Sequence, residues 1–481
     1  MIRGLVRYLS LILVAALLTV TTSARASDWP QFRGPSGSGR PATDLPLPAK
    51  LGTDTNVVWK TALPPGHSSP VVAGDRVYLT AVRQKRLVTL ALDRASGKIL
   101  WEREAPARIL EKVHKIGSHA QPTPAADGER VVSFFGSAGL FCYDPAGKLL
   151  WQVPMGPFQN DFGAGSSPII VGDRVLLCQD HDENSFLMAL DKRTGKRLWK
   201  TDRSEFLRGF CTPVIWDVAG RKQVVVAGTL RVAGYDLATG KEVWTVRGMA
   251  RTICATPVVG DDGRLYVSGW AAGGDPGAAI AVEPFDEVIK ERDENKNGTL
   301  ERAELTGHPF FERFTQVDTN GDGSITRAEY ERFRGLFKKG RNAVLAIKPG
   351  GKGDVTDSHV AWTNTRQVPF CASPLYYDGL VYTVKDGGLL ACLDPQTGKP
   401  LKFDRLPAAG SYYSSPVAGD GKLYLLNAQG SLAVIQAGRD WKVLSRSDFG
   451  EPVYATPAIA DGRIYLRTSG HLYCFGAAGK K

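Results

Sequence analysis

Two stretches of twelve residues alternate oxygen-bearing side chains with a glycine at the sixth place and a glutamate at the twelfth. The first is Asp293-Glu-Asn295-Lys-Asn297-Gly298-Thr299-Leu300-Glu301-Arg-Ala-Glu304, and the second Asp318-Thr-Asn320-Gly-Asp322-Gly323-Ser324-Ile325-Thr326-Arg-Ala-Glu329. A hard cation such as calcium takes six to eight oxygens at flexible distances. Positions 1, 3 and 5 offer side-chain oxygens, from Asp293, Asn295 and Asn297 in loop one and Asp318, Asn320 and Asp322 in loop two. Thr299 and Ser324 offer a backbone carbonyl at position 7, and Glu304 and Glu329 can each give two oxygens. Gly298 and Gly323 allow the sharp bend between them. The expected chemistry is calcium binding at two sites. Site two has three carboxylates (Asp318, Asp322, Glu329) against two in site one (Asp293, Glu304), so it should bind more tightly. Whether the ion is structural or regulatory stays open, with the structural role favoured.

Elements of helical period surround the loops. Phe285, Val288 and Ile289 precede loop one, Phe310, Phe311, Phe314 and Val317 precede loop two, and Phe333, Leu336 and Phe337 follow it. Leu300 and Ile325, at position 8 of each loop, are expected to pair. The pattern is that of a tandem EF-hand, occupying about 281–340.

The rest of the chain repeats. A Ser/Thr-Pro pair recurs at Ser69, Thr123, Ser167, Thr212, Thr256, Ser373, Ser415 and Thr456, at steps of 54, 44, 45, 44, 117, 42 and 41 residues. The long step contains the calcium loops. After each pair come an apolar run, a Gly-Asp or Asp-Gly turn and a β-branched or aromatic run, as in PVVAGDRVYL (70–79) and PAIADGRIYL (457–466). Such turns tolerate the positive φ of tight hairpins. A third apolar run and a D-x-x-[ST]-G-K turn lead to a fourth ending in Trp, complete in Asp93–Trp101, Asp191–Trp199 and Asp236–Trp244. Asp144 to Trp151 is one residue shorter, and Asp394 to Phe403 carries Phe for Trp.

Four strands per 40–45 residues, repeated, indicate an all-β, eight-bladed β-propeller with a small α-helical EF-hand insertion. The recurring Trp is expected to fill the space between blades. The last unit has three evident strands, so residues 56–60 are expected to supply the fourth and close the ring. The organisation reads as a leader over 1–26, propeller over 27–280, the EF-hand pair over 281–340, and propeller again over 341–480.

These repeats resemble the pyrroloquinoline-quinone (PQQ) repeat superfamily. The run Asp28-Trp29-Pro30-Gln31-Phe32-Arg33-Gly34-Pro35 looks like the opening of exported bacterial PQQ-like-repeat proteins. The resemblance implies the propeller fold. It leaves two activities open: quinoprotein dehydrogenases, and non-catalytic scaffolds similar to the outer-membrane assembly factor BamB. The dehydrogenases it points to carry adjacent cysteines near the quinone. The seven cysteines here (142, 178, 211, 254, 371, 392, 474) include no neighbours. PQQ is therefore the alternative cofactor, not the favoured one, and the reading leans towards a non-enzymatic binding or scaffold protein. A Cys254–Cys371 bridge between equivalent places in consecutive blades is left open.

Composition agrees with an ordinary folded chain: 481 residues, 43% hydrophobic, 23% charged. Net charge is +11, of which Arg3, Arg7 and Arg25 fall in the leader, leaving +8 spread over turns. That speaks against a nucleic-acid partner. Met1–Ala26 has a basic start, an apolar stretch from Leu9 to Val20 and an Ala24-Arg25-Ala26 cleavage pattern, which together indicate an export signal. A periplasmic or secreted location follows, with no integral membrane segment after cleavage and no cysteine for lipid attachment.

The residues two places before each Ser/Thr-Pro should ring one mouth of the central channel. They are His67, Gln121, Gly165, Phe210, Cys254, Cys371, Tyr413 and Tyr454, with His119, Arg208, Arg251, Tyr412 and Glu451 nearby. Of these His67, Gln121, Arg208, Arg251, Tyr413 and Tyr454 are the candidate contacts for a small anion, a carbohydrate, a peptide or a partner protein. No nucleophile–base pair can be read from the spacing.

Overall fold

The computed structural model describes residues 28–106, 111, 113–278 and 280–477. The expected leader lies outside the described residues, and no helix among them is long and apolar enough to cross a membrane. Eight antiparallel sheets stand around one axis. Blade 1 runs Val71–Ala73, Arg76–Arg83, Arg86–Asp93 and Ile99–Ala105, from axis to rim. Alternation is weak in the middle strands because both faces are covered by neighbouring blades; Arg86–Asp93 is buried at six consecutive positions. Blade 4 gains a fifth strand, Gly353–Asp354, parallel to its outer edge.

The ring closes in blade 8. Val57–Ala62 pairs with His471–Gly476, Trp59 opposite Cys474 and Ala62 opposite His471. Sheet edges seek partners, and this pairing joins the two ends of the repeat array through about 400 residues of intervening chain.

The Ser/Thr of each repeat also has a physical role. Its hydroxyl oxygen accepts the backbone N–H of its counterpart in the preceding blade, from Ser69→Thr123 (2.9 Å) round to Thr456→Ser69 (3.0 Å). Eight such bonds make a closed belt around the channel. The Pro that follows has no N–H to leave unsatisfied at this crowded point.

The rim is stitched by tryptophan. Trp101 Nε1 donates to Pro145 O (2.9 Å), Trp151 to Lys192 O (2.9 Å), Trp199 to Leu237 O (3.2 Å), Trp362 to Pro395 O (2.8 Å), and Trp59 closes the series on Arg94 O (3.1 Å). Each acceptor lies in the D-x-x-[ST]-G turn of the next blade, or for Trp101 in its shorter form Asp144–Gly147. The Gly of that turn has φ near +70° to +85° and the indole lies against it. Two positions depart from the expected pattern. Trp244 bonds Gln223 of its own blade (2.6 Å), and Trp216 takes over the contact with blade 5 at Gly263 O (3.1 Å). Phe403, expected to stand for Trp, does not: Lys402 holds the place opposite Cys392 that Trp101 holds opposite Ala91, its Nζ donates to Trp441 O (2.8 Å), and Phe403 is 45% exposed.

The insertion leaves blade 5 after Leu265–Gly269 and returns at Ala343–Ile347. It contains α1 (Phe285–Arg292), a short α2 (Phe314–Val317) and α3 (Arg327–Lys339). Its core of Phe285, Phe310, Phe314, Tyr330, Phe333 and Phe337 extends onto Leu207 of the propeller. Leu300 and Ile325, fully buried, pair in a two-stranded bridge between the loops, as their position-8 placement implies.

Candidate functional site

In loop two the carboxylate of Asp318 accepts the N–H groups of Gly321 (2.8 Å) and Gly323 (3.0 Å), and Asp322 accepts that of Ser324 (2.9 Å). Glu329 accepts from Thr319 N (3.0 Å) and Thr326 N (2.9 Å), and with Thr326 forms a capping box that starts α3. Gly323 sits at φ +89°, where a side chain would be strained. Loop one repeats the scheme: Asp293 accepts from Gly298 N (2.9 Å), and Glu304 from Glu294 N (2.9 Å) and Glu301 N (2.8 Å). Burial and the nearby Glu301 raise the Glu304 carboxyl above its ordinary value. The donors are all oxygen, which suits a hard cation and excludes a thiophilic one. Among the described residues no cluster of three or more His, Cys, Asp or Glu side chains converges as a metal site. The carboxylates are turned to their own loop amides, and the remaining side-chain oxygens of the pattern come from Asn295, Asn297 and Asn320.

The second candidate site is a chamber of about 660 Å³ on the propeller axis. His67, Gln121, Gly165, Phe210, Cys254, Cys371, Tyr413 and Tyr454, named from the repeat spacing, all line it, as do Arg208 and Arg251. Its floor carries Ser and Thr of the hydroxyl belt. His119, Tyr412 and Glu451 are not among the lining residues: His119 contacts Glu111 O (2.7 Å), Tyr412 is buried with its hydroxyl on Ala408 O (2.6 Å), and Glu451 pairs with His471 (2.7 Å).

The walls are largely aromatic. His67 stacks on Tyr454 at 4.1 Å, Tyr454 lies 5.7 Å from Tyr413, and Phe370 meets Trp270 edge-on at 5.1 Å. Burial, then the Arg467 charge, holds the His67 imidazole down to about 4, so it is neutral at pH 7. Arg208 forms ion pairs with Asp182 and with Asp161 (3.3 Å). All seven cysteines are unbridged; Cys254 and Cys371 share the chamber wall, and the thiol of Cys254 helps push that of Cys371 well above its ordinary value.

Several lining residues were not expected from the sequence. Phe32 comes from the N-terminal segment, which lies across the inner strands: Trp29 and Val72 exchange backbone bonds (2.8 and 2.9 Å), and Pro30 O accepts from Ala126 N (2.8 Å). Trp270 follows the strand where the insertion departs. Glu312, Arg313 and Gln316 belong to the EF-hand lobe itself. Their helical spacing signals an exposed face of the lobe, but nothing in the sequence says which surface that face meets.

Behind the wall, His181 is buried, stacked on Phe158 at 3.9 Å. Burial first, then Arg208 and Lys200, pushes it from 6.5 down to about 3. Between those two values the unfolded chain binds the extra proton, so His181 makes stability fall as pH drops through that window. Melting curves from pH 7 to pH 4 should show His181→Phe losing less of its midpoint than wild type. Equal losses would mean that this histidine is not held neutral.

The comparisons with known proteins agree with this architecture. The family described as outer membrane protein assembly factor BamB matches residues 50–161 and 85–273, and the EF-hand family matches 311–333. The chain is 30% identical over 150 residues to a 1-butanol dehydrogenase (cytochrome c) of Thauera butanivorans, covering 27% of this chain and 21% of that protein. It is 29% identical over 136 residues to a quinohemoprotein alcohol dehydrogenase of Comamonas testosteroni, covering 24% and 18%. The matches thus span about a fifth of the length of these curated relatives. Among solved structures, BamB from Moraxella catarrhalis superposes with a TM-score of 0.54 at 15% identity over 88% of this chain and 99% of that one. A europium-containing methanol dehydrogenase gives 0.57 at 12% identity over 94% and 98%. At such identities these likenesses show the fold alone.

Proposed function

Starting from a PQQ-like-repeat β-propeller with an EF-hand motif in its insertion, we propose that the chain is an exported, calcium-binding, non-enzymatic receptor or scaffold. Its central chamber takes a peptide, carbohydrate or other small ligand, or a segment of a partner protein. The observation that carries this reading is that Glu312, Arg313 and Gln316 of the calcium lobe line the same chamber as the propeller residues. An insertion that only stabilised blade 5 would have no need to reach the axis.

Asp318, Asn320, Asp322, the Ser324 carbonyl and Glu329 would hold one calcium ion, and Asp293, Asn295, Asn297, the Thr299 carbonyl and Glu304 the other. A bound ion there supplies positive charge against the carboxylates and ties the two ends of each loop together. Export rests on the leader over 1–26. The BamB likeness supports placement in the cell envelope, and the dispersed basic charge gives nucleic acid no footprint.

A second reading, a PQQ-dependent alcohol or sugar oxidoreductase, is favoured by the partial likeness to the two alcohol dehydrogenases and by the aromatic walls of the chamber. The cofactor fits poorly. The cysteines in the chamber, Cys254 and Cys371, are in different blades and unbridged, unlike the adjacent pair the resemblance calls for. Incubation of the calcium-loaded protein with PQQ, desalting and addition of 1-butanol decides between the two. The receptor reading expects no quinone absorbance to travel with the protein. Retained absorbance that bleaches with the alcohol would replace it with the oxidoreductase.

A further inference from the structure

Two guanidinium groups in the chamber wall have no carboxylate partner among the described residues. Arg251 comes from the propeller, one turn before the fifth Ser/Thr-Pro, and Arg313 from the lobe. They flank one ring, with Cζ at 4.5 Å and 5.7 Å from the centroid of Phe337. Arg251 Nε is buried with no hydrogen-bond partner, and Arg313 donates only to Pro309 O (2.8 Å). Glu312 lines the same wall and is in ion-pair contact with neither. Arg208, by contrast, is neutralised by Asp182 and Asp161. The Phe337 ring attracts each guanidinium, but the two like charges repel each other, and an anion between them would relieve that repulsion.

The position of Arg313 is tied to loop two. Arg313 and Gln316 precede Asp318 on the same short helical stretch, and Asp318 is the residue at which α2 ends. Gln159 of the propeller clamps that stretch: its Nε2 donates to Asp318 O (2.9 Å) and Thr315 O (3.2 Å). The Thr315 hydroxyl donates to Asp161 (2.5 Å), which holds Arg208 in the chamber wall. Without a cation the carboxylates of Asp318, Asp322 and Glu329 repel one another at the end of this stretch, whereas a loaded loop fixes it.

We propose that the chamber is a binding site for organic anions, carboxylates or sulfonates with an apolar body, and that loading of the second calcium loop holds Arg313 in its place beside Arg251. Calcium affinity and anion affinity then rise together, because linkage between two sites is reciprocal. Gln159 is the positioning residue that joins them. This inference rests on the calcium-receptor reading above.

Cys254 provides a reporter inside the chamber, since five of the other six cysteines are buried. In a Cys371→Ser background, the rate of its modification is measured by mass spectrometry with two methanethiosulfonate reagents. One carries a sulfonate and the other a trimethylammonium group. The expected result is a sulfonate-to-ammonium rate ratio roughly tenfold higher in calcium than in chelator, as for one added charge a few ångströms from the reagent. Arg313→Gln should abolish this calcium dependence and Arg313→Lys should keep it. Arg251→Gln should lower the ratio at every calcium level. Gln159→Ala should bind calcium in calorimetry yet lose most of the dependence. A ratio indifferent to calcium, in protein that takes up calcium at loop two, overturns the inference and leaves the receptor reading standing. Absence of any calcium binding to the folded chain overturns both.

Discussion

A chain that begins at Leu63, lacking the strand Val57–Ala62, is expected to lose its single cooperative melting transition. That strand is the outer edge of blade 8 and the place where the first and last repeats meet. Its loss exposes the backbone of His471–Gly476 as a sheet edge and empties the seat of Trp59, which is 92% buried and bonded to Arg94 O of blade 1. The milder variant Trp59→Ala keeps the strand and removes the wedge; large-to-small changes of this kind cost about 3–5 kcal/mol. Urea unfolding followed by far-ultraviolet circular dichroism reads both. If the trimmed chain melts as sharply and as high as the full one, the ring is not closed in the way described.

The second large effect concerns the glycine in the D-x-x-[ST]-G turn. Gly195 has φ +71°, and a Cβ placed there would lie 2.8 Å from the indole of Trp151 in the preceding blade. Gly195→Ala therefore combines a left-handed backbone with an occupied seat, about 1–2 kcal/mol for the first and about 1–3 kcal/mol for the second. Gly172, in the first hairpin of the same blade, has φ +59° and open space around it. Gly172→Ala should cost only the backbone part. Denaturant midpoints that fall equally for the two variants would remove the indole seat from the explanation.

That pair also shows where sequence reading reaches and where it stops. The Gly and Trp of the D-x-x-[ST]-G-K turns were visible as a period, complete in three units and shortened in a fourth, because one structural unit used repeatedly leaves the same residues at the same spacing. Their partnership was not visible, since the Trp of one blade rests on the Gly of the next. The Ser/Thr-Pro pairs were legible for the same reason, yet their hydroxyl belt is a property of the closed ring. The exceptions were illegible individually. Phe403 comes nine residues after its turn Asp rather than eight, so Lys402 takes the Trp place opposite Cys392 and Phe403, one residue further along the strand, is turned to the exposed face. Trp216 replaces Trp244 between blades 4 and 5 because Gln223 captures the latter's N–H.

The chamber followed from topology: equivalent positions in successive blades must surround the axis, so His67, Gln121, Tyr413 and Tyr454 converge despite their separation in sequence. Phe32 and Arg313 could not be placed in that way. They reach the chamber from segments outside the repeat, whose docking depends on tertiary packing alone. The EF-hand-like loops were legible as motifs because their residue spacing is local, and the pairing of Leu300 with Ile325 followed from it.

Isothermal titration of the chelator-stripped protein with calcium tests the central claim most directly. Two binding events are expected, the tighter one absent in Glu329→Gln and the weaker one absent in Glu304→Gln, with both variants still folded. A folded wild-type chain that gives no calcium heat, or one whose binding is untouched by both substitutions, would contradict the account.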